Sequence, residues 1–283
     1  MTSLAKPEIA GLQASTPDLP TVCVTIPVLN EEIRLALRFP RLMEYLQGVT
    51  GLRWEVVIAN NGSTDETQSL AERFSRQYPH VRALWLSERG RGGALKRAWI
   101  ESQADVMTYM DVDLSTDLDA FPKLVQAVAS GGFDLAVGSR LAVGAQTQRS
   151  WKRELTSRCY VRLIKLLCHT SVSDAQCGFK AISRRAAQVL LPLVEDNGWF
   201  FDTELLALAQ RLDYRILELP VRWTEDEDSR VNLFDTARRD FQGLLRLRRG
   251  MANRALRSSP PAAPTTLTPA RTTGAPGRIN PLP

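Results

Sequence analysis

The sequence predicts an α/β fold, a central sheet whose strands alternate with helices. Short runs rich in Val, Ile, Leu and aromatic residues recur at 22–27, 54–59, 81–86, 106–110 and 133–137. Helical apolar spacing fills the intervals at 31–47, 66–77, 94–103 and 118–129. Polar turns, several containing glycine, close most of the strands. Strands that are apolar throughout belong to sheets covered on both faces, and strand–helix alternation is the pattern of crossover units.

The elements follow in order. The strand at 22–27 passes through Val28-Leu29-Asn30-Glu31-Glu32 into the first helix. The strand at 54–59 leads into Asn60-Asn61-Gly62-Ser63-Thr64-Asp65, residues suited to an Asx turn and a helix N-cap. After 81–86 comes Ser87-Glu88-Arg89-Gly90-Arg91-Gly92-Gly93-Ala94, and 106–110 ends on Asp111-Val112-Asp113. Further strands are expected at 178–183 and 214–221, with a helix at 203–210 between them. The stretches 151–168 and 232–249 read as helices that are both apolar and basic. Residues 1–19 read as a loose arm and 258–283, rich in Pro, Ala and Thr, as a disordered tail, leaving one domain over 20–257.

A chain of 283 residues with 44% hydrophobic content can bury a full core. Its net charge of +5 suits anionic partners such as nucleotides, phosphates or acidic lipid surfaces. No nucleic-acid recognition motif accompanies that charge. The cysteines (Cys23, Cys159, Cys168, Cys177) lack paired metal-ligand spacing and His80 and His169 stand apart, which argues against structural zinc and for reduced thiols. The first twenty residues are polar and carry Pro7, Pro17 and Pro20, so no secretory signal is expected. No run of 18 apolar residues exists to span a bilayer.

Three polar clusters carry the chemistry. Asp111 and Asp113, taken as an extended segment, would point to one face, where their charges repel unless a cation or proton joins them. Mg²⁺ or Mn²⁺ would fit, and either would neutralise a diphosphate. A solvated turn using Asp for backbone hydrogen bonds fits the pair equally well. The glycines of 87–94 would let backbone N–H groups of a helix N-terminus approach an anion, beside Arg89 and Arg91; a bare turn is the alternative. The 60–65 turn is a candidate base-reader. Ligands in such sheets bind beyond the carboxyl ends of strands, where all three clusters lie.

With their order included, these segments resemble inverting glycosyltransferases of the GT-A class, over roughly 21–249. Downstream, Gly138-Ser139-Arg140, Asp174-Ala175-Gln176-Cys177-Gly178-Phe179-Lys180 and Trp199-Phe200-Phe201-Asp202-Thr203-Glu204 resemble the dolichyl-phosphate β-glucosyltransferase and polyprenyl-phosphate glycosyl synthase branch. The resemblance implies a Rossmann-like nucleotide-binding half with a mixed central sheet. It implies a nucleotide-sugar donor held by Pro27, Leu29, Glu31, Asn60, Asn61, Arg91, Gly92 and Asp111, and a Mg²⁺ or Mn²⁺ ion on Asp113 with Asp111. Asp174, Asp202 and Arg140 are then the catalytic candidates. Arg149, Arg153, Gln176 and Lys180 are candidates to meet the acceptor or its phosphate. Many relatives carry acidic residues where this chain has Asn60 and Asn61. A carboxamide complements the donor and acceptors of uracil, which favours a UDP-sugar over a GDP-sugar if these side chains reach the base. Asp228-Ser229-Arg230 stands where relatives often show Gly-Ser-Lys, near a mobile loop.

A polyprenyl phosphate acceptor is already anionic at neutral pH, so a strong general base is not required. Orienting or sugar-binding roles then suit Asp174 and Asp202. The basic apolar stretches at 151–168 and 232–249 would lie on an anionic membrane surface, giving a peripheral protein at its cytoplasmic face. Packing of those faces on the core is the other reading.

Overall fold

The computed structural model describes residues 19–148, 170–224 and 242–247. Residues 1–18 of the arm, the tail, Arg149, Arg153, the 151–168 stretch, most of 232–249 and Asp228-Ser229-Arg230 lie outside the described residues.

Five strands of the first half form as the apolar runs dictate: β1 (Thr21–Val28), β2 (Arg53–Asn61), β3 (Val81–Leu86), β4 (Val106–Met110) and β5 (Leu135–Ser139). Helices α1 (Glu32–Gly48), α2 (Thr67–Gln77), α3 (Arg91–Glu101) and α4 (Phe121–Ala129) intervene. In α1 the buried positions Leu35, Phe39, Leu42, Met43 and Leu46 recur at helical spacing and pack against the sheet. β4 pairs with β1 only as far as Thr25, so Pro27, with no N–H to donate, stands where β1 has β2 alone beside it.

The sheet has seven strands in the order β3-β2-β1-β4-β7-β5-β8, with β7 (Phe179–Ser183) and β8 (Ile216–Pro220) from the second half. β7 runs antiparallel to both β4 and β5, which makes the sheet mixed, as expected. Its register sets Tyr109 opposite Lys180 and Met110 opposite Phe179. One core layer lies under α1, α2 and α4. The other lies under α3, α5 (Arg184–Leu190) and α6 (Phe201–Arg211) and takes in Leu244 and Leu247.

Four elements depart from the sequence pattern. The helix expected at 94–103 begins at Arg91, so Gly92 and Gly93 form its first turn. α5 is short and is announced only by its cap, the Ser183 hydroxyl accepting from the Ala186 N–H. β6 (Gln146–Gln148) and β9 (Arg222–Thr224) pair in parallel, and their three polar or mixed residues carry no alternation to read.

Candidate active site

β1 and β2 end in register, Val28 opposite Asn60, so their turns interlock. The Asn30 N–H donates to Ser63 Oγ (2.9 Å) and the Thr64 N–H to Asn30 Oδ1 (2.8 Å). Asn60 is fully buried: its Oδ1 accepts from the Ser63 N–H (3.1 Å) and hydroxyl (2.6 Å), and its Nδ2 donates to Gln68 Oε1 (2.9 Å). Asn61 donates to the Val28 carbonyl (2.8 Å) and accepts from the Gly90 N–H (3.2 Å). Both carboxamides thus have their partners within the protein. Burial of a polar side chain requires such partners, and local ones were at hand. Pro27 is buried, Leu29 is exposed at the turn, and Glu31 pairs with Arg34 (3.0 Å).

The glycine-rich segment also serves a different purpose. The N–H groups of Gly92 and Gly93 donate to the carbonyls of Gly198 (3.2 Å) and Asn197 (3.0 Å). A Cβ at Gly90 would lie 2.4 Å from the Asn197 carbonyl oxygen, and one at Gly92 would lie 2.5 Å from Phe201 Cβ. These glycines permit close packing against the segment before α6, and those two donors are not available to an anion. The Arg91 side chain contributes instead.

Arg91 joins both halves of the sheet. It is only 9% exposed, and its Nη2 donates to Asp111 (2.9 Å) and its Nη1 to Asp202 (2.6 Å). Its guanidinium lies 4.7 Å from the Tyr109 ring centroid and 5.0 Å from that of Trp199. Asp202, in the first turn of α6, also accepts from the Tyr109 hydroxyl and pairs with Lys180 (2.9 Å). Lys180 is fully buried and donates to the Cys177 carbonyl (2.6 Å). Burial opposes ionisation of Asp202, yet Lys180, Arg91 and the Tyr109 hydroxyl together hold its carboxyl below the usual range. Lys180, the residue expected on the acceptor side, is held within this cluster against Asp202.

Asp174 is likewise buried. Arg140 grips it through Nε (2.7 Å) and Nη2 (2.9 Å), with the Arg140 N–H adding a third bond (3.0 Å). Burial raises its pKa, but the Arg140 charge and these bonds outweigh it and the net direction is down. Arg140 lies 5.4 Å from the Trp223 ring centroid. Gln176 is half-buried in the segment that follows Asp174. The Cys177 thiol is pushed up to about 12 by burial and is no nucleophile.

Asp111 and Asp113 follow β4 in a turn rather than as extended strand: the Leu114 N–H bonds the Asp111 carbonyl (3.1 Å), and Leu114 has φ +53°. The alternation argument for their common face therefore does not apply. What brings the Asp111 carboxylate to the strand end is Gly178, where a Cβ would lie 1.7 Å from Asp111 Oδ2. Asp111 keeps 42% of its side chain exposed, and Asp113 lines a cleft of about 1300 Å³ between α1 and β9. Two carboxylates supply hard oxygen ligands suited to Mg²⁺ or Mn²⁺. Among the described residues no three His, Cys, Asp or Glu side chains gather to hold an ion alone, so such an ion would take its remaining ligands from phosphate and water. The residues fit that kind of site.

Sequence reasoning passed over Tyr109 and left Trp199 without a role. Tyr109 lies two residues before Asp111 and Trp199 three residues before Asp202, and that nearness was the available signal.

The glycosyl transferase family 2 model matches residues 23–191. The glycosyltransferase AglD of Haloferax volcanii is 38% identical over 225 residues, 79% of this chain and 35% of that protein, so the chain spans about a third of that relative's length. The dolichyl-phosphate beta-glucosyltransferases of Saccharomyces cerevisiae and Homo sapiens are each 31% identical over 230 residues, covering 74% and 76% of this chain and 69% and 71% of theirs. Among solved structures, glucosyl-3-phosphoglycerate synthase from Mycobacterium tuberculosis in complex with uridine diphosphate superimposes with a TM-score of 0.60 at 22% identity, covering 81% of this chain and 80% of that one. That likeness fits the GT-A architecture.

Proposed function

The chain belongs to glycosyl transferase family 2, and we propose that within it the protein transfers glucose from UDP-glucose to a polyprenyl phosphate, with inversion. The observation that carries this reading is the state of the two candidate bases. Asp174 and Asp202 are both buried, both gripped by cations and both held below the usual carboxyl range, which makes them weak proton acceptors. Transfer to a sugar hydroxyl calls for a proton acceptor. A phosphate monoester, with a second pKa near 6, arrives with its nucleophilic oxygen already charged. The names of the dolichyl-phosphate relatives support glucose and a lipid phosphate acceptor. UDP draws its support from the structural neighbour solved with uridine diphosphate.

In this reading Arg91 and Lys180 fix Asp202 beneath the donor sugar, and Asp174 fixes the Arg140 guanidinium for the acceptor anion. Arg149, Arg153 and Gln176 would extend that acceptor side. Pro27, Leu29 and Glu31 would border the nucleoside through the turn after β1. Asp111 and Asp113 would hold Mg²⁺ or Mn²⁺, which when bound supplies positive charge to the departing diphosphate. No helix among the described residues is long and apolar enough to cross a membrane. We place the encounter with the acceptor at the cytoplasmic face of an anionic membrane, through peripheral contact, a reading supported by the net charge of +5.

A panel of labelled UDP- and GDP-sugars, offered with membrane lipid extract, tests this directly. Label is expected in the organic phase with UDP-glucose, and chelator or Asp113→Ala is expected to lower the rate by about 10²-fold or more. Product that stays in the aqueous phase would overturn the lipid acceptor. Equal turnover in Asp113→Ala would overturn the metal assignment.

A further inference from the structure

We propose that the helical segment 242–247 is a clasp on the active site, with Arg246 as its positioning residue. The reaction it serves is the one proposed above, but the clasp stands on contacts of its own.

The segment docks without a gap. A Cβ at Gly243 would lie 2.4 to 2.8 Å from carbons of the Phe200 ring, so the helix backbone rests directly on that ring. Leu244 and Leu247 are buried in the core layer that holds Phe200, Phe201 and Leu205. Arg246 then reaches the loop that precedes α6. Its Nη2 lies 3.3 Å from both Asp196 and Glu204, and its Nε lies 3.4 Å from Glu195. Three carboxylates thus converge on one guanidinium.

Glu204 ties these contacts to the loop itself. Its Oε2 accepts the N–H groups of Glu195 (3.1 Å) and Asp196 (2.8 Å), while Asp196 Oδ1 accepts that of Gly198 (2.7 Å). Glu204 is almost fully buried; burial pushes its carboxyl up, and the Arg246 charge works against that shift. The loop held in this way presents the Asn197 and Gly198 carbonyls to Gly93 and Gly92 at the start of α3. It also places the Trp199 ring over Arg91. Arg91 is the residue that bonds Asp111 and Asp202 at once. The path from Arg246 to the reacting groups is therefore one loop long, and every link in it is a hydrogen bond, an ion pair or a ring contact. Arg246 touches none of the reacting groups itself. Its effect is to fix where Trp199 and Arg91 stand, and displacement of such groups by about 1 Å costs on the order of 10²-fold in rate.

The full chain carrying Arg246→Ala, Arg246→Lys or Gly243→Ala tests this, with three readouts. Glucose transfer should fall about tenfold or more in kcat for Arg246→Ala, with a smaller change in donor KM, and Arg246→Lys should recover part of the loss. Trp199 emission, obtained as the difference between each protein and its Trp199→Phe counterpart, should change in intensity in Arg246→Ala and Gly243→Ala as the ring, already 46% exposed, loses its contact with the Arg91 guanidinium. Thermal unfolding reports whether each variant is folded. Wild-type kcat and unchanged Trp199 emission in folded Arg246→Ala would overturn the clasp, as would equal losses in the Ala and Lys variants. If the wild-type protein itself transfers no glucose, the functional reading fails and Trp199 emission alone decides the clasp.

Discussion

Two clusters at the carboxyl end of the sheet are built from opposite materials. On the β1–β2 side, neutral amides and hydroxyls (Asn30, Asn60, Asn61, Ser63) bond to one another and to the backbone. On the β4–β7 side, Arg91, Lys180, Asp111 and Asp202 gather around Tyr109 with their charges nearly balanced. Neutral hydrogen bonds contribute about 1 kcal/mol each, and water can replace a lost partner wherever it reaches. Buried charges have no such substitute, because removal of one leaves the others uncompensated in a medium that solvates them poorly. The neutral side is shaped to hold a turn in place. The charged side is shaped to hold charge at fixed positions, which is what stabilisation of a departing diphosphate requires.

The sharpest way to break this contrast is Asp202→Ala. It leaves Arg91 and Lys180 facing each other across Tyr109 with only Asp111, itself half exposed, as counter-charge. A loss of about 3–5 kcal/mol in unfolding free energy is expected by urea titration, in the range found when one partner of a buried pair is removed. Asp202→Asn should recover little of it, since shape is kept and charge is not. A loss below about 1 kcal/mol would mean that water enters the cluster and that its charges are not held as described.

The neutral side should respond less. Asn61→Ala leaves the Val28 carbonyl and the Gly90 N–H without their partner. A cost of about 1–3 kcal/mol follows from two buried groups losing their bonds. The ratio of rates with UDP-glucose and GDP-glucose should stay within about twofold of wild type, because a carboxamide turned into the protein does not touch the base. A large change in that ratio would return Asn61 to the nucleoside pocket.

The two sides also differed in how far the sequence could be read. Strands β1 and β4 were legible because a strand buried on both faces is largely apolar along its length, and α1 because its buried positions repeat at helical spacing. The clusters were located because polar residues at strand ends are conspicuous against such runs. Their internal geometry was not legible, for reasons particular to each. Whether Asn60 faces a ligand or Gln68 depends on a rotamer that sequence does not encode. The glycines of the α3 start make room for Asn197 and Phe201, about a hundred residues away. Lys180 sits in the cluster because β7 runs antiparallel beside β4, and local pattern does not specify strand direction. Asp111 and Asp113 lay where expected, yet in a turn, with Gly178 rather than strand alternation making the space.

The smallest effect expected is one of pH, and its sign separates enzyme groups from substrate. Asp174 and Asp202 have pKa values below the reference of 3.8. A depressed carboxyl contributes stability above its unfolded pKa and loses it as pH falls through the folded one. These two groups therefore contribute a constant amount between pH 5 and pH 8, and the loss is confined to pH below about 4. The unfolding midpoint should show no titration from them across the neutral range. The kcat/KM for a phosphate acceptor should nevertheless decline as pH falls through about 6, because the acceptor's own second ionisation lies there. A decline set by the acceptor moves when its pKa is moved, so a phosphonate analogue, more weakly acidic in its second step, should carry the acid limb to higher pH. An acid limb that stays in place with the analogue would assign the titration to the protein, and with it a general base on the charged side of the sheet.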